Sequence, residues 1–314
     1  MFNRMICSCL LVMYSMMAFA ENPHEENSKV LQIVPLLQYE NLSLTSQGVQ
    51  SSSAGLLING TDFQFVGMYT QHVFKEPLQY GFPQRYHTID MMLDKRQDRN
   101  QYVGIFNSES DQPVSGGINT FQAGALYGYE VIYKPKLSLV LGGGIAVGNF
   151  GLKTPGGKNV PVIPVPLVRF NYYSDLLVAK FEFITSPNLS FILAPKDRVR
   201  LSVDLRTSQL RDSRDAIFVC ALAYRPYTDQ GEHGDFFGVS IGITNNNYGA
   251  FTLGHEGEEE SIEVHYRSLF AAVDVSVLQV SAGYAFDGRS LYRETQEEDL
   301  GEGYFISIQA MYPF

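Results

Sequence analysis

Between Asp197 and Thr207 the chain reads DRVRLSVDLRT, and its residues alternate without interruption. Val199, Leu201, Val203 and Leu205 fall on one face; Arg198, Arg200, Ser202, Asp204 and Arg206 fall on the other. Successive side chains of a strand point to opposite sides, so this stretch is a strand with one oily and one wet face. The same period of two recurs. Val168, Phe170 and Tyr172 oppose Arg169 and Asn171; Leu177, Ala179, Phe181 and Phe183 oppose Lys180 and Glu182. Phe63, Phe65 and Tyr69 oppose Asp62 and Gln64, and Ile262, Val264 and Tyr266 oppose Glu263, His265 and Arg267. No stretch carries a helical period, so the chain is expected to be all-β.

The first twenty residues stand apart. Arg4 precedes the apolar run ICSCLLVMYSMMAFA, and Ala18-Phe19-Ala20 forms a small-residue cleavage site before Glu21. Residues 1–20 are therefore expected to be a secretory signal peptide, leaving a mature chain of 21–314. Its removal takes one positive charge from a chain of net charge −10 and leaves Cys220 as the one cysteine, so no internal disulfide is expected. Cys220 lies in AIFVCALAY and reads as a small buried apolar residue. Beyond residue 20 no apolar run reaches the roughly 18 residues of a membrane helix. The acidic balance argues against nucleic acid as a partner.

Turns such as Tyr133-Lys134-Pro135-Lys136 join alternating runs, which makes the sheet antiparallel. Polar stretches at 47–55, 153–159, 227–235, 254–261 and 292–303 read as loops. Two architectures alternate in this way: a soluble sandwich, with oily faces packed together, and a membrane barrel, with oily faces toward lipid. Strand runs at 120–133 and 137–150 exceed the nine to eleven residues, roughly, that cross a bilayer at a tilt. Gly124, Gly128, Gly142, Gly144, Gly238 and Gly242 fall on the polar faces, where a crowded lumen needs room. The 19 Tyr and 21 Phe, several near strand ends, suit interfacial girdles.

The chain closes on YFISIQAMYPF. Ile306, Ile308, Ala310, Tyr312 and Phe314 share one face with Tyr304. This ending resembles the C-terminal β-signal of bacterial outer-membrane β-barrel proteins. The resemblance implies an assembly signal at Phe314, Tyr312, Ala310, Ile308 and Ile306, read by the barrel-assembly machinery. It also implies export through a Sec-type route, escort by periplasmic chaperones and contact with outer-membrane lipid. Pro313 departs from a regular ladder because it lacks a donor. The expected fold is a single antiparallel transmembrane β-barrel of even strand number, about 12 within a range of 10 to 14 at roughly 23 residues per strand with its loop.

Chemistry beyond transport has little support. His265 and Ser268 fall on opposite faces of one strand, and His255 beside Glu256 and Glu258 to Glu260 matches no protease motif. No metal-ligand spacing is present, so neither metal nor cofactor is expected and the chain reads as no enzyme. The candidate lumen-facing residues are Arg169, Lys180, Glu182, Arg198, Arg200, Asp204, Arg206, Glu263, His265 and Arg267. They point to a narrow pore or transporter for small solutes. The other readings are a structural or surface-binding barrel acting through its acidic loops and, behind it, a membrane lipase or protease. Pairing of these charges across the lumen favours a plug; segregated walls favour a channel.

Overall fold

A computed structural model describes residues 31–113, 118–150, 160–184, 186–207, 216–226, 237–248, 262–292 and 296–312. Its strands are β1 (Gln32–Leu44), β2 (Gly48–Asn59), β3 (Phe63–Phe74), β4 (Arg85–Gln97), β5 (Asn100–Ser110), β6 (Phe121–Lys134), β7 (Leu137–Gly148) and β8 (Val162–Tyr173). They continue as β9 (Leu177–Phe183), β10 (Pro187–Leu193), β11 (Val199–Thr207), β12 (Ala216–Tyr224), β13 (Phe237–Tyr248), β14 (Ile262–Val275), β15 (Leu278–Tyr292) and β16 (Gln296–Met311). Each pairs antiparallel with its sequence neighbour, and β16 returns to β1 from Leu36↔Met311 to Leu44↔Gly303. The sheet is closed and has no edge.

The barrel has sixteen strands, not about 12. The expectation fails because the connections are shorter than assumed: the 280 residues from Gln32 to Met311 hold sixteen strands, 17.5 residues each. β9 and β10 are only 7 residues long. Polar composition also hid strands. Most of 47–55, read as a loop, is the start of β2, and Gln296 already belongs to β16. In β2 the inward Ser51 and Ser53 hydrogen-bond to His72 and Thr70, while the outward Gln50 and Ser52 lie above the oily belt. Both faces are polar there, so no alternation marks the strand.

Even strand number puts Gln32 and Met311 at the same rim. The connections at that rim include Asp98-Arg99, Pro135-Lys136 and Ser276-Val277, two residues each; Asp98 and Ser276 take positive φ, as tight hairpins demand. At the opposite rim the connections 75–84, 111–120, 149–161 and 249–261 are long. One long connection, 225–236, breaks the asymmetry by joining β12 to β13 at the short-turn rim. At that rim the Lys196 ammonium hydrogen-bonds Asp175 at 2.6 Å and holds its exposed carboxyl below the usual range.

Register assigns the faces. Leu37, Tyr39, Leu93, Tyr127, Leu141, Ile145, Ile241, Leu269, Val273, Ile306 and Ile308 are all exposed outward and form one continuous apolar belt. A closed antiparallel sheet with such a belt satisfies every ladder hydrogen bond without water. The architecture is that of an outer-membrane β-barrel. Cys220 pairs with Val203 and Ile243 on this belt and is half-exposed, so it is not the buried core residue its neighbours suggested.

Candidate functional site in the barrel lumen

The interior is not uniformly wet. One apolar cluster fills the long-loop mouth beside β14 to β4: Leu42, Val49, Phe74, Tyr86, Val264, Tyr266, Tyr292 and Phe305. The connection 75–84 folds over it and buries Leu78 and Phe82. Gln47 tethers that connection, accepting from Glu76 N–H at 3.0 Å and donating to the Glu76 carbonyl at 3.1 Å. Tyr80, with φ 57°, stacks edge-on against Tyr292, whose hydroxyl accepts from Gln79 N–H at 3.3 Å. A second cluster, Val103, Leu126, Val140, Val165 and Leu167, lines β5 to β8. Leu167 lies over Gly128, where a Cβ would meet its Cδ2 at 2.7 Å.

Between these clusters runs a polar band. Glu40, Ser51, His72 and Tyr86 are successive cross-strand partners on β1 to β4. Tyr266 Oη donates to Glu40 Oε1 at 3.2 Å, and Ser51 Oγ shares a 2.7 Å hydrogen bond with His72 Nδ1. Sequence reasoning missed this serine–histidine pair because its members are 21 residues apart on different strands. Both are buried beneath the apolar mouth, which leaves no open side for a substrate.

The charged centre lies opposite the mouth cluster. Arg169 on β8 donates through Nε to Glu182 Oε1 at 2.7 Å, and Nη1 reaches across to Asp94 on β4. Both Asp94 oxygens also accept from Gln101 Nε2 at 2.8 Å. Arg169 is thus clamped between two carboxylates, one on the neighbouring strand and one four strands away. Lys180, Ser190 and Asp204 occupy one row across β9, β10 and β11, with the ammonium 5.8 Å from the Tyr173 ring. Arg206 and Arg200 lie on the same inward face of β11, at opposite ends. Arg200 Nε turns back to the Asp197 carbonyl at 3.0 Å. Arg198 sits exposed at the short-turn rim, just before β11.

Glu263, His265 and Arg267 were expected in the lumen, and the register puts them outside. Tyr266, between His265 and Arg267, is buried and bonded to the inward Glu40, so its two neighbours face outward. There His265 pairs with Glu263 at 2.9 Å, Arg267 with Asp287 at 3.4 Å, and Arg289 with Asp287 and Glu297 at 2.8 and 2.6 Å. The reason is a change of medium along one strand. Leu269, Ala271, Val273 and Val275 face outward within the belt, whereas 263–267 rise above it. Above the belt the outside is water and the inside is packed, so charges go out and apolar groups go in. His265 and Ser268 do fall on opposite faces of β14.

The sector from β11 to β14 is different again. Its inward residues Ser202, Ala221, Ala223, Ser240 and Gly242 are small, and the described ones are partly exposed. Phe270 lies across Gly242, where a Cβ would meet the ring at 2.6 Å. These small side chains leave the inner wall partly open to solvent here, with Lys180, Asp204 and Arg206 on the same side.

No family model matches the chain, and no curated protein does. Among solved structures, it is similar to Pseudomonas aeruginosa OccK5 (OpdH) at 11% identity, covering 90% of this chain and 98% of that one, TM-score 0.34. A variant of OccD1 (OprD) gives 10%, 93%, 98% and 0.39, and Acinetobacter baumannii OccAB4 gives 10%, 92%, 100% and 0.37. Values this low carry no argument about this chain, whose architecture rests on its own strand pairing.

Proposed function

We propose that the barrel sits in a bacterial outer membrane, reached by export with residues 1–20 as the signal, and acts as a narrow pore or transporter for small solutes. The observation that carries this reading is the sector of small, partly exposed inward residues between β11 and β14, flanked by Lys180, Asp204 and Arg206. The belt side chains Ile306, Ile308 and Ala310 share the outward face of β16, with the exposed Tyr312 just past its end, where the assembly machinery would read them; Phe314 lies outside the described residues. Purified, refolded protein in planar bilayers should give stepwise conductance, and Ala221→Trp should reduce the step size. Absence of steps at every voltage would overturn the pore reading.

One observation favours the second reading, a plugged structural or surface-binding barrel. Arg169 is neutralised by Asp94 and Glu182, beneath a mouth whose β14 to β4 side is packed with apolar side chains. That reading works through acidic loops at 227–235 and 254–261, but their flanking strands leave from opposite rims. Both segments lie outside the described residues. With the termini on the periplasmic side, protease added to intact cells should cut 254–261 and spare 227–235. Cleavage at 227–235 alone would invert the orientation.

A further inference from the structure

On the outward face, just above the apolar belt, lies a groove of about 620 Å³ between β3 and β4. Its lining is Val73, Phe74, Lys75, Pro83, Gln84 and Arg85. Val73 and Arg85 are cross-strand partners on the outward face. Lys75 continues that face, its stem lying flat over Gly48, where a Cβ would meet Lys75 Cδ at 2.5 Å. The walls are held by backbone: Phe74 N–H donates to the Gln84 carbonyl and Lys75 N–H to the Gly48 carbonyl, each at 2.8 Å. Directly below, Tyr69 Oη and His87 Nδ1 share a 2.6 Å hydrogen bond, with Ile89 level with Tyr69 and Phe65 and Leu93 facing outward beneath. A tyrosine with a polar partner on an apolar wall marks the depth where hydrocarbon gives way to headgroups.

Two cations lie at that depth, with Asp111 near the same His87 that Arg85 approaches. Arg267 and Arg289, at the same rim, are paired with Asp287 and Glu297. Lys75 and Arg85 are exposed, and among the described residues no carboxylate lies within ion-pair distance of either. In a chain of net charge −10, two cations that flank one apolar cleft without an ion-pair partner among the described residues select for an anion with a hydrocarbon tail. We propose that this groove binds a phosphorylated lipid of the outward leaflet. Lys75 and Arg85 hold its phosphate, and its acyl chain runs down past Val73 and Ile89. The inference rests on the membrane placement proposed above.

The test uses refolded full-length protein equilibrated with zwitterionic phospholipid vesicles doped with phosphatidic acid. Lipid retained after transfer to detergent is counted by native mass spectrometry. A near-surface cation contributes about 1 kcal/mol toward an anionic lipid, so Lys75→Ala and Arg85→Ala should each lower retention about fivefold, and together about 25-fold. Both side chains are exposed, so the variants should keep the heat-modifiable barrel and the wild-type conductance. Arg267→Ala with Arg289→Ala should leave retention unchanged. An equal loss in that pair, or no loss in the first, overturns the site. Displacement of the lipid by inorganic phosphate alone would show a free-anion site and overturn the lipid assignment. Loss of conductance steps in the wild type would instead bear on the pore reading alone.

Discussion

Replacing Gly303 with valine is expected to stop the barrel from closing. Gly303 stands opposite Leu44 at the end of the β1–β16 seam, and a Cβ there would fall 1.8 Å from the Ser43 carbonyl oxygen and 3.0 Å from Leu44 Cα. These are backbone atoms, which cannot rotate away as a side-chain tip can. Overpacking a well-filled site costs about 1–3 kcal/mol, and the upper end applies where backbone must move. The seam is also the one place where neighbouring strands are not joined by a direct connection. The variant should lose its fast-migrating, heat-modifiable form on gels. Gly104→Val is the control, because its nearest new contact is Leu93 Cβ at 3.8 Å. A normal closed barrel in Gly303→Val would show that the seam does not have this register.

The second large effect is expected at Arg169. Its guanidinium is the shared partner of Asp94 and Glu182, and the arginine side chain is only 9% exposed. Arg169→Met removes the cation and leaves two half-buried carboxylates facing each other. Breaking a buried pair from one side costs about 3–5 kcal/mol. The denaturation midpoint should fall accordingly, and any conductance should shift toward cations. The triple change Arg169→Met, Asp94→Asn, Glu182→Gln should recover most of the loss. A single variant as stable as wild type would mean that the clamp contributes nothing.

Alternation carried much of this fold in plain view. In β11 the oily set Val199 to Leu205 faces outward and the charged set faces the lumen, and the same holds for β8 and β9. What alternation does not state is which medium lies on which side. In β14 the apolar parity changes along the strand, from Val264 and Tyr266 to Leu269, Val273 and Val275. That change of parity was the available signal for a strand leaving the membrane, and a uniform two-face reading erased it. Strand number failed for a related reason. The serines of β2 are polar on both faces, one lining the interior and one above the belt, so the segment resembles a loop. The Asp94–Arg169–Glu182 clamp joins positions 75 and 13 residues apart, and only the register brings them together.

The unequal strand lengths have a mechanical consequence for the bilayer. β9 and β10 have 7 residues each, and every outward position from Leu177 to Phe183 and from Pro187 to Leu193 is apolar. At about 3.3 Å per residue and a tilt near 45° they rise roughly 16 Å, against an apolar band about 25 Å tall in barrels of this kind. β14, β15 and β16 have 14, 15 and 16 residues, but the part of β14 before Leu269 already stands above the belt. In a membrane, lipid beside the short sector thins to match it, at a cost of fractions of a kcal/mol per Å, while the extra length of the long strands stands in water above the belt. The short sector thus spares the barrel a strand's worth of apolar wall without opening its ladder.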